Sequence, residues 1–199
     1  MTTPDNETTT GTMPTEARGN SASVWERLDI RGLRTVPGLR DMVDAFEPLD
    51  HPAGYAAAEF LKGEAVGVPA DIRPTAATHV LIDNGRIEGF VSTKTAEVKL
   101  TETDMTTLGI VDHGKVPSFH ICWIAKHADS TVSGVTLFHW ALYRASEVRK
   151  DLGFAVVTLD PYDKAVTEMW KAEPYLFRES NTKRTGFGVP KKLWIPYVD

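Results

Sequence analysis

Cysteine is almost missing from this chain. Cys122 is the single one, which excludes an internal disulfide and a cysteine-built zinc site. A reduced, cytoplasmic compartment is then the simplest expectation. The six histidines show no paired spacing such as His-x-x-x-His, so no metal is expected. No apolar run reaches bilayer-spanning length, and no membrane partner is expected. Positive charge is in deficit, with 22 Lys and Arg against 27 Asp and Glu, a net charge of -5. That balance argues against a nonspecific nucleic-acid binder. Internal repeats, a nucleophile elbow, a Walker loop and a dinucleotide fingerprint are all absent from the sequence. The opening stretch "MTTPDNETTTGTMPTEARGNSAS" lacks large apolar side chains. Residues 1–22 therefore read as a disordered tail, without the apolar centre of a signal peptide or the basic character of a transit peptide.

What is present suits a folded domain: 42% apolar and 25% charged residues are ordinary globular usage. Residues 23–199 read as one domain. A first strand starts at Val24. In "VPGLRDMVDAFEPL", Leu39, Met42, Val43 and Phe46 form one helical stripe, with Pro37 suited to the first turn. "HPAGYAAAEFLKG" predicts a second helix, opened by Pro52 and closed by Gly63. "THVLIDNGRIEGFVSTKTAEVKL" is a hairpin turning on Asn84-Gly85, two residues that tolerate positive φ. "TETDMTTLGIVDHGKVP" reads as a strand end and connecting loop. "SFHICWIAKH" carries large apolar residues on both faces and reads as a central, buried strand. The loop "DSTVSG" then leads into a helix with Leu137, Ala141, Ala145, Val148 and Leu152 on one face, ended by Gly153. "FAVVTLD" is another buried strand. Asp160-Pro161 predicts the N-cap and first turn of a last helix. Two strands, "YLFRES" and "KKLWIPYV", close the chain. A strand–helix–strand unit in the middle predicts one parallel pair with a right-handed crossover.

This order, together with "ICWIAKHADSTVSGVTLFHWAL", "VVTLDPYDKAVTEMWKAEPYLF" and the hairpin "VLIDNGRIEGFVS", resembles the GNAT superfamily of N-acyltransferases over roughly residue 24 to the C-terminus. The resemblance implies an α/β (α+β) fold: a mixed, mostly antiparallel sheet with a central parallel strand pair, flanked by helices. It implies acetyl-CoA or another acyl-CoA as cofactor, and a small-molecule or macromolecular amine as acceptor. Nucleic acid is not expected among the partners, and a homodimer is an open option. In the family, a loop of the form Arg/Gln-x-x-Gly-x-Gly/Ala offers backbone N–H groups to pyrophosphate at a helix N-terminus. Aligned on Gly134, this chain has Val132 at the first glycine and Asp129 at the Arg/Gln position. Ser133 is also a good N-cap in its own right, needing no ligand.

The cofactor-binding set that the resemblance implies is Ile124, Ser130, Thr131, Val132, Ser133, Gly134, Val135, Asp160 and Trp170. Trp170 stands where many members place a tyrosine that protonates the leaving thiolate, and an indole N–H cannot do that. Tyr143, Tyr162 and Tyr175 are the substitutes, with nothing in the sequence to select one. For deprotonating the amine, His120 on the central strand ranks first and Glu88 on the hairpin second. Lys183, Arg184, Lys191 and Lys192 form a basic cluster suited to the 3′-phosphate of coenzyme A or to a solvated edge. Acceptor specificity is expected from residues 37 to 75. The departures at Asp129, Val132 and Trp170 keep a second reading open, a GNAT-fold binding or regulatory protein without the transferase activity.

Overall fold

The Asn84-Gly85 hairpin is the second step of a seven-stranded sheet in the computed structural model of the chain. Residues 23–28, 36–67, 75–111, 114–181 and 190–197 are described. The tail over 1–22, Lys183 and Arg184 lie outside them. Asn84 and Gly85 both take positive φ, 50° and 73°. They join β2 (Ala77–Asp83) to β3 (Arg86–Val98). β1 (Val24–Leu28) pairs antiparallel with β2 at one edge. β4 (Val116–Lys126) pairs antiparallel with β3 on one side. On its other side it pairs parallel with β5 (Val156–Leu159). β7 (Leu193–Pro196) and the short β6 (Arg178–Glu179) complete the order β1-β2-β3-β4-β5-β7-β6. The long apolar strand is the central one, and the parallel pair sits beside it as the strand–helix–strand pattern requires.

Helices cover both faces. α1 (Leu39–Asp44) and α2 (Pro52–Lys62) bury Leu39, Val43, Phe46, Ala57 and Leu61 against Val80, Ile87 and Phe90 of the hairpin. On the opposite face, α4 (Gly134–Arg149) and α5 (Lys164–Lys171) bury Leu137, Phe138, Ala141, Ala145 and Trp170 against Val91, Phe119, Ile121, Val157 and Leu159. Full burial of each large aliphatic side chain contributes about 1.5–3 kcal/mol. The approach of α4 depends on Gly89: a Cβ there would lie 2.8 Å from Leu137 Cδ1 and 2.9 Å from the Ala125 carbonyl oxygen.

Several boundaries differ from the sequence reading. Pro37 precedes α1 rather than entering its first turn, because Gly38 caps the helix at φ 70°. His51 caps α2, its Nδ1 accepting the Ala53 N–H at 3.1 Å, with Pro52 behind it and Gly63 at the end. "ETDMTT", read as loop, is helix α3 (Glu102–Thr107). Thr101 Oγ1 accepts the Asp104 N–H at 3.1 Å, and Met105 docks on Val98, Val116 and Trp194. α4 stops at Arg149 with Lys150 as its C-cap, short of Gly153. Leu152, assigned to its apolar face, is exposed. α5 is capped by Asp163, whose Oδ1 accepts the Val166 N–H at 2.8 Å. Asp160, the predicted cap, lies before it and faces His120 and Lys192 instead.

Candidate active site

β4 has two unlike halves. Ser118–Ile121 pair with Val156–Leu159 of β5. β5 then stops, and the chain leaves through Asp160-Pro161 toward α5, while β4 runs on from Cys122 to Lys126 with β3 as its neighbour strand. A bulge marks the change: Thr93 faces Ile121 and Ser92 faces Trp123, leaving Cys122 unmatched. Bulges bend a strand and re-aim its side chains. The two strands therefore part, and a cleft opens between the second half of β4 and α5. It holds two cavities, of about 460 Å³ and 600 Å³, with Ala53, Ile124, Val166 and Trp170 as common wall. The first takes in Lys94, His120, Cys122, Trp123, Asp160 and Tyr162. The second takes in His51, Gly54, Lys126 and Met169.

His120 is buried at the closed end of the cleft. Its Nδ1 lies 3.0 Å from Thr158 Oγ1, and the Thr158 hydroxyl donates to Ser118 Oγ at 3.1 Å. Its Nε2 lies 3.8 Å from Asp160 Oδ2. Asp160 Oδ1 in turn faces Lys192 Nζ at 3.9 Å, and Lys94 stands opposite His120 on β3. Glu88, the second candidate base, is elsewhere. It occupies the bulge of β3, between the Leu81–Gly89 and Ile82–Ile87 pairs. Arg86 Nε donates to its Oε1 at 2.8 Å. Burial pushes the Glu88 carboxyl up, but the Ser130 hydroxyl, the Arg86 guanidinium and His127 outweigh it and hold it below the usual carboxylate value. Glu88 thus braces the loop after β4, away from the cavity that holds His120.

The loop itself is organised by its side chains. Ser130 is buried, and its Oγ accepts the Val132 N–H at 3.1 Å. The amide of Val132, one of the implied cofactor-binding residues, is therefore already engaged. Lys126 Nζ donates to the Ser130 carbonyl at 3.0 Å and the Val132 carbonyl at 3.5 Å. Carbonyls that turn in toward a lysine cannot repel an anion outside. Ser133 Oγ caps α4 through the Thr136 N–H at 3.1 Å, as its N-cap reading requires. Thr131, Ser133, Gly134 and Val135 give their amides no acceptor within the described chain. Gly134 has no positive φ, and a Cβ there would meet the Tyr175 hydroxyl at an ordinary 3.5 Å. Nothing among the described residues demands glycine at this position. None of Ser130 to Val135 lines either cavity; the loop lies beyond their rims.

Trp170 is core and cleft wall together. It packs on Tyr175, Phe138 and Phe177 with centroids at 4.4, 5.5 and 5.5 Å. Of the three substitute tyrosines, Tyr162 lines the His120 cavity and Tyr175 reaches the start of α4, while Tyr143 is exposed on α4 outside both cavities. Burial raises the Tyr175 hydroxyl above its ordinary value, keeping it protonated. Burial likewise pushes the Cys122 thiol up to about 11, so it is no nucleophile at neutral pH.

Two features escaped the sequence reading. One is the Lys126 clamp, detectable only as a lysine ending an apolar strand before the loop. The other is the 3.6 Å pair between His51 Nε2 and Asp163 Oδ2, which joins the caps of α2 and α5 beside the cleft. Lys191 pairs with Glu179, the solvated-edge option for that residue. Among the described residues no helix is long and apolar enough to cross a membrane, and no cluster of three His, Cys, Asp or Glu side chains could hold a metal ion.

The sequence matches no family model and no curated protein sequence. The fold does match solved structures. AtaT complexed with acetyl-methionyl-tRNAfMet aligns at TM-score 0.63 and 13% identity, over 88% of this chain and 95% of that one. The KacTA–DNA complex aligns at 0.59 and 10%, over 88% and 94%, and AtaTR bound with acetyl-CoA at 0.55 and 14%, over 88% and 94%. AtaT and KacT are GNAT-fold proteins. This chain has the same fold: a mostly antiparallel sheet with one parallel pair, flanked by helices. The expectation against nucleic acid draws no support from these neighbours, two of which are tRNA and DNA complexes.

Proposed function

We propose that this GNAT-fold chain is an acyl-CoA-dependent N-acyltransferase, an N-acetyltransferase in its simplest form, acting on a primary amine. The observation that carries the reading is the parting of β4 from β5 beside an anion-competent helix start. The residues fit such a cofactor. Ser133, Gly134 and Val135 would hold its phosphates at the positive end of a sixteen-residue helix. Lys126 keeps the loop carbonyls turned away. Ile124 and the open edge of β4 would receive an extended, amide-bearing arm as a strand edge receives a peptide, with Trp170 packed beside it. When bound, an acyl-CoA supplies an acyl group activated as a thioester. His120 accepts the proton that the amine must lose. Tyr162, which lines the His120 cavity, or Tyr175, kept protonated by burial beside the start of α4, is the proton donor to the departing side. Val132 and Ser130 serve the loop from inside, through their mutual hydrogen bond.

The second reading, a GNAT-fold binding or regulatory protein, is favoured by Asp129, whose carboxylate stands at the loop, and by Trp170 in place of the acid. The acceptor is an amine on a small molecule or a macromolecule. The tRNA complex of AtaT puts a nucleic-acid-linked amine among those to be tested, against the net charge of -5. A cytoplasmic location and an optional homodimer belong to the same proposal. A thermal-shift series with coenzyme A, acetyl-CoA and longer acyl-CoAs tests it. Ligand at about 100 times its dissociation constant stabilises the fold by about 2.7 kcal/mol. A series without any shift leaves the binding-module reading.

A further inference from the structure

We propose that Glu88 is a positioning residue for acyl-CoA: through Ser130 and Arg86 it holds the loop after β4 with carbonyls turned inward and amides left outward before any ligand arrives. The proposal rests on the acyltransferase reading, and it gives a role to a buried charge that the chemistry at His120 does not use. Glu88 is 4% exposed. A carboxylate so placed is costly unless donors surround it. Three groups face it: Arg86 on β3, Ser130 in the loop and His127 just past β4. Arg86 Nη2 and Nε lie 2.6 and 2.8 Å from Oε1. The Ser130 hydroxyl donates to the same carboxyl, and its oxygen accepts the Val132 N–H at 3.1 Å. One chain of bonds thus runs from a buried charge on the sheet to a backbone amide of the loop.

The consequence lies in the backbone groups of the loop. The Asp129 N–H donates to His127 Nδ1 at 3.1 Å, and the Asp129 carbonyl accepts from Arg86 Nη2 at 3.4 Å. The Ser130 N–H returns to the His127 carbonyl at 3.1 Å. With Lys126 on the carbonyls of Ser130 and Val132, two cations hold three carbonyls. The amides without an acceptor among the described residues are those of Thr131, Ser133, Gly134 and Val135. An anion outside meets these N–H groups, while the three carbonyls face cations. Donors set in place beforehand cost no ordering when the ligand arrives. Glu88 is the common partner, fixing Arg86 on one side and Ser130 on the other. A glutamine of the same size replaces one carboxylate oxygen by a donor and removes the charge that holds Arg86.

The test is ¹⁵N NMR of the full chain, titrated with coenzyme A and with pantetheine, its phosphate-free arm. Glu88→Gln and Ser130→Ala should each weaken coenzyme A about tenfold. The double variant should lose no more than the larger single loss, because both residues act through one chain of bonds. Pantetheine should bind all four proteins alike. Without ligand, the Val132 amide hydrogen should exchange faster in both single variants. Ser130→Ala removes only a hydroxyl, so it carries the test where Glu88→Gln melts too low. A merely structural Glu88 would lower the melting temperature and leave the coenzyme A affinity of the folded chain unchanged. That result would overturn the proposal, as would additive losses in the double variant, a pantetheine loss equal to that of coenzyme A, or unchanged Val132 exchange. A wild-type protein that binds no coenzyme A defeats the acyltransferase reading instead, and Val132 exchange then decides by itself whether Glu88 holds the loop.

Discussion

The two halves of β4 obey different rules. From Ser118 to Ile121 every residue is buried between β3 and β5, whereas from Cys122 to Lys126 every residue is half-exposed. The first half is closed by strand pairing and carries the buried polar chain Ser118–Thr158–His120. The second keeps the same apolar residue types but, among the described residues, has no strand beside it on the α5 side. One strand thus provides a rigid anchor for His120 and an open edge for a ligand, and a single bulged residue, Cys122, separates them. A site built on a rigid element holds its reacting groups more closely than one built on loops alone.

The sharpest way to break this contrast is to cut the same side chain in each half. Ile121→Ala should cost about 2–5 kcal/mol, since it empties a fully packed position. Ile124→Ala should cost about 1 kcal/mol or less, because its surroundings are already open. Urea unfolding of both variants checks the pair, and equal losses would mean that the second half is core after all. A second pair compares glycines. Gly89→Ala should destabilise by about 1–3 kcal/mol through overpacking against Leu137 and the Ala125 carbonyl. Gly134→Ala has room and gains helix propensity, so its melting should match or exceed wild type, by up to about 1 kcal/mol.

A third pair separates a cap from a carboxylate that lines the cleft. Asp163→Ala should lose about 1 kcal/mol with the N-cap of α5. Asp160→Ala leaves that cap in place and should lose less in thermal melting than Asp163→Ala. The smallest effect concerns the brace under the loop. The Glu88 carboxyl is held below its ordinary value of 4.5 in the folded chain. Its stabilisation is present above the unfolded value and is lost as pH falls through the folded one. An acid titration of stability should therefore flatten in Glu88→Gln below the ordinary carboxylate range and match wild type in shape above it.

Much of this architecture was legible because it rests on local chemistry. Asn84-Gly85 announced its hairpin through positive φ, Ser133 its cap, and "SFHICWIAKH" its central place through apolar residues on both faces. What stayed hidden depends on contacts between distant segments. Helix α3 is poor in helix formers and exists because Thr101 caps it and Met105 docks on Trp194. Asp160 and Asp163 are equally good caps by type, and only the exit of the chain from β5 decides between them. The chain Ser118–Thr158–His120 joins two strands and the Lys126 clamp joins a strand to a loop, so neither has a spacing signature. Glu88 and His120 looked alike as polar residues on neighbouring strands, yet Arg86 and Ser130 bind the one while the other faces the cavity.

The account stands most directly on whether the helix start beyond the open half of β4 receives coenzyme A. Titration calorimetry at fixed ionic strength, with coenzyme A injected into wild type and into Gly134→Ala, measures it. The account predicts binding to wild type and binding at least about tenfold weaker to the variant, whose backbone can no longer be approached closely, although the variant melts no lower. Heats of dilution alone for wild type at millimolar ligand, or identical affinities for the two proteins, would contradict it and leave "DSTVSG" as a helix cap without a ligand.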